Sequence, residues 1–426
     1  MVGLGAALGC GSLGRPKPLS ETVAPPAVDA GGSRSVGVPD ASTALSRDAQ
    51  AERPIGPAAD AATRDAATDG AAREAGASLD AGGAGDGGAD ATVISPLAST
   101  VVTQDIGTVD ALAADGATLY ELTHDNALWV LEAGGAPRLL TRDGGTAFAC
   151  SPVFRLALDT GEAFWIAQSE DATHDLSTVL HRTDKGGAGD TVIATGLAYA
   201  EPPIVAADDA RVYWVEGEGS PDGTGPGAVI RALPADAAPD TAPTTLVSVD
   251  GSDAIGAMTV SGPTLYWVSF YLYTTVTVPD LHGAQIAALL APDPPAPLDL
   301  GTAWYVQPHG GSLYVDYIAD IWHFYLAREA PDGSDFVSLG LIPSADNIVF
   351  VDDWALVSVP SGSCGDHRHL LLALPTAAPG GTIVQLADDL GTPAVLGTEL
   401  AYVDLAGQVH TSTLDQVRAA LAAAGR

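Results

Sequence analysis

Short apolar runs of four to seven residues recur from about residue 109 onward, each broken by a turn of Asp, Gly or Ser. The third such group reads "PPIVAAD", "RVYWVEG", "AVIRALP" and "TTLVSVD", four strand-like segments in succession. The first group reads "VDALAAD", "TLYELT", "ALWVLEA" and "PRLLTR". Alternation and β-branched or aromatic content predict strands, and the Asp, Gly and Ser between them tolerate the backbone angles of tight hairpins. The second strand of each group is the most aromatic and the easiest to align. One residue from each, Tyr120, Phe164, Tyr213, Tyr266, Tyr314, Leu356 and Tyr402, gives spacings of 44, 49, 53, 48, 42 and 46 residues.

A period of that length with four strands per unit predicts an all-β fold, a β-propeller of seven blades with six and eight as the bounds. The last unit offers only three strands before the helical pattern "DQVRAALAAAG". The missing strand is found at the other end, where "STVVTQD" (residues 99–105) matches the outer strands of other units. An amino-terminal strand that completes the last blade closes the ring and removes the open edges of an unclosed sheet. The acidic pairs Asp208–Asp209 and Asp352–Asp353 fall in the recurring turn between first and second strands, which reads them as turn formers and not as catalytic carboxylates.

Composition divides the chain further. Residues 18–91 hold no aromatic residue and consist mostly of Ala, Asp, Gly, Pro, Ser and Arg, a mixture that buries too little apolar surface to offset chain entropy. The expected organisation is a signal segment over residues 1–10, a disordered linker over 11–95, the propeller over 96–414 and a helical tail over 415–426. With 18 Lys and Arg against 53 Asp and Glu, the net charge of −35 excludes nucleic acid as a partner.

The chain begins "MVGLGAALGCGSLGRP", an apolar run ending in small residues before Cys10. It resembles the lipobox of bacterial lipoproteins, in which the cysteine is lipidated. Gly9 fits the pattern, whereas Ala7 stands where leucine is usual and Leu8 where a small residue is usual, and no Lys or Arg precedes the run. A lipid on Cys10 would anchor the protein to the membrane of the cell envelope. About 80 linker residues would then give a reach of roughly 50 Å. The phrase "VYWVE…AVIRALP…PTTLVSVD" in turn resembles the YWTD-like propeller repeats of bacterial envelope lipoproteins. The resemblance covers residues 99–414 and is strongest in the third and fourth units. The threonine and aspartate of that motif are replaced by Val215 and Glu216, and by Val268 and Ser269. It implies fold and location more than activity.

Candidate contacts lie in the connections between second and third strands, which emerge on one face of a propeller together with the blade-to-blade crossings. Those of the second, third, fourth and sixth units are enlarged, as in "SFYLYTTVTVPDLHGA". Phe270, Tyr271 and Tyr273 fall in that fourth connection, with Trp304 and His309 beside it. They read either as a surface for a protein or glycan of the envelope or as a continuation of the strand that packs between blades. The segment "CGDHRH" places Cys364, Asp366, His367 and His369 at a spacing feasible for zinc or another transition metal, although a closed set of four would need a partner segment that is not seen. Cys150 and Cys364 are the two cysteines left besides Cys10, on units that are not ring neighbours.

No G-x-S-x-G or H-E-x-x-H motif and no calcium loop of the D-x-[DN]-x-[DN]-G type is present, and no cofactor is expected. The leading expectation is a monomeric, non-catalytic, lipid-anchored binding module. The alternatives are a propeller lyase or hydrolase using histidines such as His309, His367 or His369 with acidic residues, and an envelope assembly scaffold. Fold alone does not choose among them.

Overall fold

The computed structural model describes residues 92–424 apart from a set of connections, the longest being 144–154, 171–175, 198–202, 218–226, 272–278 and 361–368. Residues 1–91 and 425–426 lie outside the description, as do some side chains at strand ends, Tyr271 and His369 among them. Cys10 and linker residues 11–91 are therefore outside it, together with Cys150, Tyr273, Cys364, Asp366 and His367.

The described strands form seven antiparallel four-stranded units, each laid out first strand to fourth from the inside of the ring outward. Blade 1 shows the pattern, with Val109–Asp115, Thr118–Thr123, Ala127–Glu132 and Arg138–Arg142 paired in chain order. The innermost strands contact one another in a closed cycle. It runs through Val109–Asp115, Leu156–Leu158, Val205–Asp208, Asp253–Ser261, Leu298–His309, Asn347–Val351 and Leu390–Leu396, and the last of these touches the first. The fold is a seven-bladed β-propeller.

Blades 4 and 5 are joined in one sheet of seven strands by the 12-residue strand Leu298–His309. Its first half pairs with Asp280–Gln285 as the outer strand of blade 4, with Gly283 opposite Leu298. Its second half pairs with Ser312–Asp320 as the inner strand of blade 5, with His309 opposite Ser312. Between the halves the chain bends at Gly301, whose φ of 102° lies where side chains are strained.

The amino-terminal strand closes the ring as the pattern required. Thr100–Val101 pairs antiparallel with Val409–Thr413 and becomes the outer strand of blade 7, with Thr100 opposite Thr411. Upstream, Thr92–Val93 runs parallel to Val384–Asp388 and adds a fifth strand to blade 6. Pairing thus begins within the segment whose composition reads as linker, in two residues too few to leave a periodic signal.

The tyrosine–tryptophan phrase now has a physical reason. Neighbouring residues of a strand point to opposite faces of the sheet. Tyr213 enters the core shared by blades 3 and 4, with Leu265 and Trp267, whereas Trp214 enters the one shared by blades 2 and 3, with Phe164 and Ile166. One aromatic pair therefore fills two seams. Trp165, Trp214 and Trp267 occupy the same place in blades 2, 3 and 4 and are all fully buried.

The turns are built by the residues the sequence singled out. Asp208 accepts the backbone N–H groups of Ala210 and Arg211 at 2.8 Å each and the Tyr213 hydroxyl at 2.9 Å. Asp209 reaches the neighbouring blade, where its carboxylate accepts from the Thr160 backbone and hydroxyl. In blade 5 the turn His309–Gly310–Gly311–Ser312 has both central φ angles positive, 58° and 79°, the two-residue hairpin geometry that glycine permits.

The carboxyl-terminal helix Leu414–Ala424 lies beneath blades 6 and 7. Thr413 and Gln416 cap its start reciprocally: the Thr413 N–H donates to Gln416 Oε1 at 2.9 Å and the Gln416 N–H to Thr413 Oγ1 at 3.3 Å. Leu414, Val417 and Leu421, one helical face, pack with Leu356, Leu400 and Tyr402. Arg418 forms a two-pronged pair with Asp352, at 2.7 and 3.1 Å. No helix among the described residues is long and apolar enough to cross a membrane.

Candidate functional site on the loop-bearing face

Every blade starts its first strand at one face of the ring, so the second-to-third-strand connections and the blade crossings share that face. The strand ends place four long connections there, leaving after Glu170, Glu216, Tyr271 and Pro360. The opposite face carries the tight first-to-second-strand hairpins and the third-to-fourth-strand connections, of which 235–243 in blade 3 and 286–297 in blade 4, with the helical turn Ile286–Leu289, are extended.

Phe270 belongs to strand Thr264–Tyr271, so of the two readings of this stretch the continuing strand holds for it. It stands opposite Ala254, and its ring covers Gly256, where a Cβ would lie 2.5 Å from the Phe270 ring. Trp304 packs against the same ring, with centroids 5.4 Å apart. The Trp304 indole N–H is buried without a hydrogen-bond partner. The structure thus brings Phe270 and Trp304 together at the loop-bearing end of blades 4 and 5, with Phe270 committed to packing. Tyr271 ends the strand, and its backbone pairs with Asp253.

His309 is separated from this pair. It lies five residues beyond Trp304 on the same strand, roughly 16 Å away, at the hairpin end. Its ring stacks on Phe350 with centroids 3.9 Å apart and planes 9° from parallel. Burial holds its pKa below the ordinary imidazole value, which favours the neutral ring. Beside it a pocket of about 320 Å³ is lined by Tyr266, Pro308, Ser312 and Pro331. The grouping of His309 with the blade-4 aromatics on one surface is therefore corrected: it faces the other side of the ring.

His369 heads strand His369–Pro375, its backbone opposite Pro360. Its proposed companions Cys364, Asp366 and His367 lie outside the described residues. Among the described residues no group of three or more His, Cys, Asp or Glu side chains is placed to share a metal ion.

A buried polar cluster went unread in the sequence. Arg155, 1% exposed, stands between blades 1 and 2. It donates to Asp110 Oδ2 at 3.0 Å, to Asn126 Oδ1 at 2.5 Å and to the Ile166 carbonyl at 3.0 Å. Desolvation lowers its pKa to about 10, against the attraction of Asp110. The same Asp110 oxygen is 3.2 Å from His124 Nδ1, and this hydrogen bond, opposed by burial, raises the imidazole pKa. His124 and Asn126 come from the short connection "THDNAL", and nothing local marks that an arginine 29 residues beyond Asn126 would meet them.

Desolvation raises further acids, Glu121, Asp316 and Asp346 among them. Glu121, on the seam between blades 7 and 1, is pushed up to about 8, and neither of its oxygens has a hydrogen-bond partner. Asp316 is pushed to about 7, although its Oδ2 accepts the Ala345 N–H at 2.8 Å and the Ser344 hydroxyl at 3.0 Å. A smaller cavity of about 210 Å³ lies along the inner strands of blades 2 to 5, walled by Ala157, Ala206, Ala257 and Thr259, with Gln307 as its longest polar side chain.

No protein-family model matches this chain, and no curated protein matches it. Solved structures do. The β-propeller domain of the Trilobed protease from Pyrococcus furiosus, described as having an open velcro topology, aligns over 73% of this chain and 96% of its own, at 9% identity and a TM-score of 0.47. YCF48 bound to D1 peptide aligns over 75% and 96%, at 13% identity and 0.45. An oligogalacturonate lyase in complex with manganese aligns over 61% and 74%, at 12% identity and 0.43.

Proposed function

We propose that this chain is a non-catalytic β-propeller of the cell envelope, tethered by a lipid on Cys10, that binds a protein or glycan through its loop-bearing face. The observation that carries the reading is the common direction of the four long connections. They leave one face of a closed ring, beside the Phe270–Trp304 pair, and a rigid scaffold under variable loops is the arrangement in which binding residues concentrate. Phe270 serves as the foundation and the contacts come from residues beyond it, beginning with Tyr271 and Tyr273.

The test compares the chain from residue 88 onward, which keeps both Thr92–Val93 and Thr100–Val101, with its Tyr271→Ser/Tyr273→Ser variant in affinity capture from envelope extract. Phe270 is left in place because its ring packs on Gly256 and Trp304. A partner held by the parent and lost by an equally folded variant supports this surface. The same set captured by both, or nothing captured by either, removes the aromatic loop as the binding site.

One observation favours an enzyme. Asp110 and His124 form a carboxylate–imidazole pair near the start of an inner strand, with His124 part-exposed. In that reading His124 is the general base, and turnover of a substrate lost on His124→Gln is the result that would establish it.

A further inference from the structure

Asp143 and His181 face each other across the outer seam between blades 1 and 2. His181 lies in strand Leu176–Asp184, is 2% exposed, and is stacked on Trp165 with centroids 4.0 Å apart and planes 14° from parallel. Its Nδ1 is 3.0 Å from Asp190 Oδ2. A carboxylate only accepts, so Nδ1 donates and the neutral ring keeps its lone pair on Nε2. Asp190 is itself fixed, because its other oxygen accepts the Thr183 hydroxyl at 2.7 Å, and Thr183 in turn accepts the Trp165 indole N–H at 3.0 Å.

At the far side of the ring Nε2 is buried and makes no hydrogen bond. It stands 3.4 Å from Asp143 Oδ2. A lone pair and a carboxylate oxygen at that separation repel unless something positive lies between them. Two ligands held tetrahedrally at about 2.1 Å from a zinc-like ion are about 3.4 Å apart, the separation seen. A carboxylate behind a metal-bound imidazole, in the place of Asp190, is the usual support for such a ligand. The Asp143 side chain is 43% exposed and gives the position access to solvent.

We propose that His181 Nε2 and Asp143 Oδ2 bind one divalent first-row transition metal of the zinc class, with Asp190 as the positioning residue and water completing the coordination. Imidazole nitrogen and carboxylate oxygen suit zinc and cobalt better than calcium, which takes oxygen ligands alone. The site draws on neither Phe270 nor any of the four long connections.

Metal-stripped protein titrated with Co²⁺ and Zn²⁺ at pH 7.5 tests this. One equivalent is expected, with a cobalt absorption band in the visible region. Asp143→Ala should abolish it in a protein that still folds, since that side chain is half in solvent. Asp190→Asn should weaken the affinity roughly 10–100-fold without removing the band. Absence of the band, or a band equally strong in Asp143→Ala, overturns the proposal. So does a parent protein whose stability follows pH through the imidazole range and ignores both metals, which would assign the gap to a proton.

Discussion

Arg155 of blade 2 donates to Asp110 of blade 1 at 3.0 Å, with the guanidinium wholly inside the protein. Replacing Arg155 with Ala leaves Asp110 and Asn126 facing an emptied, desolvated space. Breaking a buried pair from one side costs about 3–5 kcal/mol. Urea unfolding of Arg155→Ala should show a loss of that order, and Arg155→Ala/Asp110→Ala should lose less than the two single variants combined. Strict additivity would mean the pair is not a unit.

Glu121 makes stability depend on pH. Its folded pKa, raised by desolvation to about 8, exceeds the ordinary value of 4.5, so the folded state holds a proton that the unfolded chain releases. Its contribution is therefore fully present below pH 4.5 and is lost as pH rises to 8, by at most about 1.4 kcal/mol per unit. Glu121→Gln cannot ionise. Its stability relative to the parent should climb between pH 5 and pH 8 in denaturant unfolding, and parallel profiles would refute this origin.

Gly256 is the floor beneath Phe270. A methyl at Gly256 would meet the Phe270 ring at 2.5 Å, and that ring is backed by Trp304. Gly256→Ala is expected to destabilise by about 1–3 kcal/mol. Gly256→Ala/Phe270→Leu should recover part of this loss because the shorter side chain vacates the contact. Thermal unfolding of the three proteins reads the effect directly.

Removing the closing strand should open the ring. A chain starting at residue 104 lacks Thr100–Val101 and leaves blade 7 with three strands and an unpaired edge. The expected outcome is a lower Tm and concentration-dependent association through that edge, seen by light scattering. A truncated chain as stable and monomeric as the parent would show that closure rests elsewhere.

Lipid attachment is tested at Cys10. Cys10→Ala should move the protein from the membrane to the soluble fraction, and an unchanged partition would rule out this anchor.

Much of the architecture could be read because it repeats. Tyr213–Trp214 and Tyr266–Trp267 recur at the blade period since each blade must fill two seams with one strand. The closing strand was legible from the three-stranded last unit. The long strand Leu298–His309 was harder, because its two halves have separate partners and only Gly301 marks the bend. Site residues were the least legible. Phe270 looks like a loop aromatic until the strand is seen to continue over Gly256. His309 looks close to Trp304 because they are five residues apart, a spacing that in an extended strand carries them toward opposite faces. The clusters around Arg155 and His181 bring together residues from neighbouring blades, and no local pattern encodes such a meeting.

The amino-terminal segment also sets the order in which the ring would give way under load. Tension entering from residues before Thr92 meets the two-residue pairing of Thr92–Val93 with blade 6 before it reaches Thr100–Val101 in blade 7. The first pairing can peel from an outer edge while all seven blades keep four strands, so it acts as a strain relief. Only after that slack is spent does the pull fall on the strand that closes the ring, whose partner Val409–Thr413 runs directly into the capped helix braced by Arg418 on blade 6.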